Sequence, residues 1–303
     1  MQRLDEKFGA VLIPLVTPFD DEGAINYKAL TALVEYLIGH DYLDSLVVCG
    51  TTGEFYALSF AERVEILRVI KETVGNRVPL IAGTGSAYTI ETIKLTQEAE
   101  RLGYDCAMVV APYYQKATQE GLYQHFKAVA ASTSLPIMLY NIPLFTGVNL
   151  EPETVGRLCA IQNIMALKEE AGLNPTQMTH YRFVMPKDRV IYCGDDTMVL
   201  QTLPQGSSGV VSGGSHIVGD LMKKMIAAYR RGDVTGASEL YFKLMPFFKA
   251  LNQNGRINPI PILKAAITIA TGIDVGPTRL PNMPATDEEK EVVASILRRL
   301  GRL

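Results

Sequence analysis

Short apolar runs rich in β-branched residues recur along the chain, separated by longer stretches in which apolar positions repeat at helical spacing. The runs fall at Ala10–Val16, Ser45–Val48, Val78–Ala82, Cys106–Val110, Ile137–Tyr140, Ile164–Lys168, Val190–Cys193 and Gly209–Ser212, which reads as eight β-strands. Helical periodicity occupies the segments between and after them, at about Tyr27–Gly39, Ser59–Val74, Thr89–Leu102, Gln119–Ser132, Glu153–Ala160, Pro175–Arg182, Thr197–Gln205 and Ile217–Arg231. Ser59-Phe-Ala-Glu62 has the form of a capping box, and Gly103 stands where the third helix should stop. Strands alternating with helices imply parallel pairing through crossover helices, and eight such units is the number that closes a barrel. The reading is an α/β chain, a (β/α)8 barrel over 1–231, with a doubly wound open sheet as the structural rival. From 232 to 303 only helical patterns follow, at about Val234–Leu251, Pro261–Gly272 and Thr286–Leu300, and they predict a helical extension packed on the barrel.

In a parallel barrel the chemistry gathers where strands end, so the residues closing each run are the ones to inspect. They are Thr17, Gly50-Thr-Thr-Gly-Glu54, Gly83-Thr-Gly-Ser86, Pro112-Tyr-Tyr114, Tyr140-Asn141, Lys168-Glu-Glu170, Gly194-Asp-Asp196 and Ser212-Gly-Gly214. Lys168 ends a strand that is apolar on both faces. Simple alternation puts Ile164, Ala166 and Lys168 on one side and Met165 and Leu167 on the other. Desolvation at such a place disfavours the ammonium form and leaves an amine able to attack a carbonyl, although a strand-end lysine can equally be solvated and inert. Tyr140 alternates with Met138, a facing that would set its phenol in the barrel mouth beside Lys168; a core tyrosine would show the same pattern. Gly50-Thr-Thr-Gly-Glu54 can present hydroxyls and successive N–H groups to a carboxylate, or serve as an ordinary turn.

Other chemistries find less support. Gly83-Thr-Gly85 lacks the third glycine of a dinucleotide loop. His40, His125, His180 and His216 form no ligand or triad spacing. Adjacent carboxylates at Glu169-Glu170 and Asp195-Asp196 should point to opposite faces, which favours structural roles and helix capping. Cys49, Cys106, Cys159 and Cys193 lie far apart and read as reduced core thiols, not a metal site or a disulfide frame. The net charge of −3 on 303 residues, without a run of like charge, gives no footprint for nucleic acid or an anionic membrane. The N-terminus is too charged for a signal peptide and no stretch is long enough to span a membrane, so a cytoplasmic location is expected.

With Gly50–Glu54, Pro112-Tyr-Tyr114, Gln119–Phe126, Tyr140-Asn-Ile-Pro143 with Thr146-Gly147, Lys168, Gly194-Asp-Asp196 and Asn258-Pro-Ile-Pro261, the chain resembles the dihydrodipicolinate synthase and N-acetylneuraminate lyase family over nearly its whole length. The resemblance implies a cofactor-free, metal-free class I enzyme on a (β/α)8 barrel, a homotetramer built as a dimer of dimers or a homodimer. Its substrates would be pyruvate and an aldehyde. Lys168 would form the Schiff base and Tyr140 would act as general acid–base. Thr51 and Tyr114 would complete a hydroxyl relay, Tyr114 reaching into a neighbouring subunit's site. Thr52 and Gly50 would hold the pyruvate carboxylate, and Val211 would pack near the substrate.

One departure bears on the acceptor. Lysine-pathway synthases of the family carry arginine where this chain has Phe145, and the loss of a charge-assisted contact there weakens binding of a carboxylated aldehyde. Apolar residues at this place resemble the sialic-acid lyases and sugar-acid aldolases, whereas Thr51-Thr52 with Tyr113-Tyr114 and the Gln119–Phe126 helix resemble the synthases. The expectation is condensation of pyruvate with aspartate semialdehyde. The alternatives are a 2-keto-3-deoxy sugar acid or 4-hydroxy-2-oxoglutarate aldolase, a related dehydratase, and a non-catalytic paralogue that only binds a 2-oxo acid. Phe60, Arg63 and Ala87 stand where the resemblance places the histidines and asparagine of lysine-inhibited relatives, though Glu91 and Tyr113 match them, and feedback inhibition by lysine is expected to be absent.

Overall fold

The computed structural model describes residues 4–170 and 172–303. Eight parallel strands, β1 (Val11–Pro14), β2 (Ser45–Val48), β3 (Leu80–Gly83), β4 (Cys106–Val110), β5 (Ile137–Asn141), β6 (Ile164–Glu169), β7 (Val190–Cys193) and β8 (Val210–Val211), close in sequence order. The closing step is the pairing of β8 with β1, Leu12 opposite Val211, which excludes the open sheet.

Both faces of every strand are apolar for a physical reason. One face packs inward and the other under the surrounding helices, so the strands read as continuous hydrophobic runs. Leu12, Val47, Ile81, Met108, Met138, Ala166, Val190, Tyr192 and Val211 fill the barrel interior. Ile13, Leu46, Leu80, Val109, Leu139, Leu167 and Ile191 join the outer shell with the helices. A short helix, Leu4–Phe8, had no periodicity to announce it at five residues. Its Leu4 and Phe8, one turn apart, join the inner cluster beside the N-terminal ends of the strands.

The alternation expected for β6 fails at its start. A register shift between Ile137 and Met138 of β5 sets Ile137 against Ile164 and Met138 against Ala166, which skips Met165. Ile164 consequently joins the outer shell while Met165 and Ala166 both reach the interior. Alternation resumes beyond the bulge, with Lys168 opposite Tyr140 on one side and Tyr192 on the other.

Helices cross between the strands near the expected places. The capping box of Ser59 and Glu62 is formed, and a second one, Thr286 with Glu289, opens the last helix. The helix expected at Thr197–Gln205 shrinks to Val199–Thr202, because Pro204 has no N–H to continue the hydrogen-bond ladder. An extra turn, Pro143–Thr146, follows β5 with proline at its first position. The C-terminal helices Val234–Ala250, Ile260–Thr271 and Asp287–Arg299 lie against the barrel, and their Phe247, Leu263 and Leu297 belong to the same apolar cluster as the outer strand faces. Among the described residues no helix is long and apolar enough to cross a membrane.

Candidate active site

Lys168 sits one residue before the end of β6 and is 5 % exposed. Its Nζ lies 3.9 Å from the centroid of the Tyr140 ring, a contact that follows from the cross-strand pairing of the two residues. Gly194, just past β7, makes room for it. A Cβ at that glycine would come within 2.9 Å of the Lys168 Cε, so any larger residue would push the amine out of its seat. The Tyr140 hydroxyl stands 3.5 Å from Thr51 Oγ1, long for a hydrogen bond but close enough to tighten around a bound ligand.

Thr51 and Thr52 lie in a single 3₁₀ turn, Thr51–Gly53, held from behind by buried charge. Glu54 closes the turn with a left-handed backbone, φ 55°, and is fully buried. Its carboxylate accepts from Lys264 Nζ at 3.3 Å and from the Arg279 backbone N–H at 3.1 Å. Lys264, 1 % exposed, also donates to the carbonyls of Thr17 and Pro277. Burial pushes the Lys264 ammonium down to about 8 and the Glu54 carboxyl up, opposed by their mutual attraction. The C-terminal extension thereby pins the loop that carries both threonines.

Behind the β6 end, on the outer side, Glu169 accepts from Asn141 at 2.9 Å and Gln177 at 3.1 Å, while Gln177 donates to the Tyr181 hydroxyl at 2.8 Å. Burial raises Glu169 to about 8 against the pull of these donors. The network fixes the strand end that presents Lys168.

Lys168, Tyr140, Thr51, Thr52, Val211 and Phe145 line one cavity of about 370 Å³. Gly50 lies beneath Thr51 as the residue that starts its turn. Tyr114 is not brought there: it projects from the surface, 92 % exposed, with φ at 75°. Sequence reasoning gave the rest of the wall no place in the site, although Asn258 belongs to a motif that carried the resemblance. Phe248, Leu251, Asn252, Asn258 and Leu263 come from the C-terminal region, which no local pattern could connect to the barrel mouth. The carboxylates after β6 and β7 also differ from expectation. Glu169 faces outward as alternation requires, but Glu170, Asp195 and Asp196 all line the cavity, since the last two lie beyond the strand end where alternation no longer applies. Burial raises Asp196 to about 6; burial first and the neighbouring Asp195 second raise Glu170.

The family model for the dihydrodipicolinate synthetase family matches residues 7–300. The chain belongs to this family. Within it, the 4-hydroxy-tetrahydrodipicolinate synthase of Desulforudis audaxviator (strain MP104C) is 46% identical over 291 residues, 96% of this chain and 97% of that protein. Among solved structures, a dihydrodipicolinate synthase from Bacillus anthracis superposes with a TM-score of 0.90 at 42% identity, covering 96% of this chain and 98% of the other. The chloride-inhibited dihydrodipicolinate synthase of Acinetobacter baumannii, solved with pyruvate, gives a TM-score of 0.90 at 33% identity, covering 98% and 100%.

Proposed function

We propose that this chain condenses pyruvate with aspartate semialdehyde, the reaction class of the synthases it resembles, through a Schiff base on Lys168. The observation that carries the reading is the seating of the Lys168 amine at 3.9 Å from the Tyr140 ring, inside a cavity that also holds Thr51 and Thr52. The Lys168 amine adds to the ketone carbon of pyruvate, and loss of water leaves an iminium. Its positive nitrogen draws electrons from the methyl group, a methyl proton leaves, and the neutral enamine that results attacks the aldehyde carbon. Tyr140 carries protons to and from the reacting carbon and oxygen atoms, and Thr51 passes them on. Thr52 and Gly50 take the pyruvate carboxylate at the start of the 3₁₀ turn, with Val211 packed against its methyl side.

Tyr114 completes the relay from a second subunit, in a homodimer or a homotetramer made of two such dimers; its exposure and its left-handed backbone fit a residue presented outward to a partner. Four buried, unpaired thiols fit the reducing cytoplasm.

A second reading is favoured by one observation. Phe145 and Leu144 are both more than 40 % exposed within the cavity wall, and no charged donor stands there for an acceptor carboxylate. A hydroxylated aldehyde, as used by sugar-acid aldolases, would suit that wall. Borohydride reduction in the presence of pyruvate, followed by intact mass, tests the nucleophile: the adduct should form on the native protein and be lost in Lys168→Ala. Adduct persisting in that variant would refute the assignment. Rates of pyruvate consumption with aspartate semialdehyde and with glyceraldehyde, side by side, decide between the two acceptors.

A further inference from the structure

The cavity wall beyond the ends of β6 and β7 holds three carboxyl groups close to Lys168. Glu170, Asp195 and Asp196 line the cavity together with Lys168, and among the described residues no arginine or second lysine stands in its wall. Two of the carboxyl oxygens, Glu170 Oε2 and Asp196 Oδ1, are withdrawn from water without a hydrogen-bond partner. Their sister oxygens are engaged. Glu170 Oε1 accepts from the Gly172 N–H at 3.2 Å, and Asp196 Oδ2 accepts from the Gly214 N–H at 2.7 Å. Asp195 Oδ1 is held by the N–H and hydroxyl of Thr197, at 2.7 and 2.8 Å. Gly172 is what lets Glu170 and Asp195 come together, since a Cβ there would fall 2.7 Å from Asp195 Oδ2 and 3.0 Å from Glu170 Oε1. Buried acceptors of this kind are costly when left unmet, and a small rotation of either side chain would turn its free oxygen toward a donor that arrives with the ligand.

Resting on the synthase reading above, we propose that Glu170, backed by Asp195 and Asp196, recognises the acceptor through its α-ammonium group, in place of recognition of its carboxylate from the side where Phe145 stands. Aspartate semialdehyde carries an ammonium beside its carboxylate, and the ammonium is the part that matches this wall. Glu170 is thus a specificity-determining residue.

The test compares two acceptors that share a chain length and a carboxylate and differ in the amine: aspartate semialdehyde and succinic semialdehyde, each with saturating pyruvate. The native enzyme should bind the amino-aldehyde about tenfold to a hundredfold more tightly, the range of one charge-assisted hydrogen bond, read from the half-saturating concentration of each aldehyde for depletion of the borohydride-trapped pyruvate adduct, because turnover alone also needs the amine to displace Lys168. Glu170→Gln should collapse that preference, mainly through a raised KM for aspartate semialdehyde, with borohydride trapping of pyruvate as the check that Lys168 remains intact. Equal half-saturating concentrations of the two aldehydes on the native enzyme would overturn the proposal. So would an unchanged KM for aspartate semialdehyde in Glu170→Gln. If pyruvate is trapped but aspartate semialdehyde is not consumed while glyceraldehyde is, the synthase reading itself fails and the ammonium site falls with it; turnover of aspartate semialdehyde without discrimination removes only the ammonium site.

Discussion

The two sides of the cavity are built differently. On the pyruvate side each functional group stands on a strand end or a tight turn, and each is backed by a buried partner: Lys168 by the Tyr140 ring, Thr51 and Thr52 by the Glu54–Lys264 pair, the β6 end by the Glu169 network. On the acceptor side the wall is made from post-strand loops and the C-terminal region, and two carboxyl oxygens have no partner. Under the proposed reaction, the difference teaches that the chemical step would be held rigid while acceptor choice would rest with residues outside the regular elements. Changes on the pyruvate side should therefore depress turnover with every acceptor, and changes on the acceptor side should be selective.

The strongest way to break this contrast is Tyr140→Phe. Removing a general acid–base group typically costs between about a hundredfold and ten-thousandfold in kcat, and the loss should be the same for aspartate semialdehyde and glyceraldehyde. A loss confined to one acceptor would show that Tyr140 belongs to the selective side. Next is Lys264→Met, which leaves Glu54 buried without its partner and should destabilise the fold by about 3–5 kcal/mol; the double variant with Glu54→Gln should recover much of that loss. Denaturant melts of the single and double variants measure it, and strict additivity would mean that the pair does not act as a unit.

A smaller effect per group follows from two buried histidines. His216 accepts the Val16 N–H on Nε2 at 3.3 Å and sits 2.7 Å from the Gly213 carbonyl through Nδ1, which fits only the neutral ring. Burial holds both His216 and His125 down to about 4. The unfolded chain takes up these protons from near pH 6.5 downward while the folded chain does not. Stability is fully present above that pH and falls as pH drops toward 4, by up to about 3 kcal/mol for each histidine. Thermal melts across that window should show the decline, and replacing His125 with Gln should flatten part of it. The smallest effect expected is that of lysine. Millimolar L-lysine should change the rate of pyruvate consumption by less than about twofold: by the resemblance Arg63 stands where lysine-inhibited relatives have a histidine, and here it is buried and donates to the Gly83 and Gly85 carbonyls at 2.8 and 3.1 Å. Strong inhibition would show that an effector pocket persists despite Arg63.

Much of this was legible along the chain. Strand and helix periodicities mark local facing, and they repeat eight times, so the barrel and the position of Lys168 at the end of its sixth strand could be read directly. Such signals also carry their own limits. A two-residue period says which side chains share a face, not where a register slips; the bulge that sends Ile164 outward and Met165 inward arises from the pairing of β6 with β5. Alternation likewise argued against a joint role for Asp195 and Asp196, and it lost its force once both lay past the strand end.

What the sequence by itself determined is the inventory: eight βα units, a lysine and a tyrosine on neighbouring strand ends, a threonine-rich turn, and Phe145 where a charged donor would otherwise stand. Only the tertiary structure decided the meeting of β8 with β1, the anchoring of the threonine turn by Lys264 from 210 positions away in the chain, and the assembly of the acceptor wall from Glu170, Asp195 and the C-terminal residues. The reason is physical. Local patterns record how a residue meets its chain neighbours, whereas a cavity is enclosed by groups whose proximity exists only after the loops between them have been closed by the burial of a shared core.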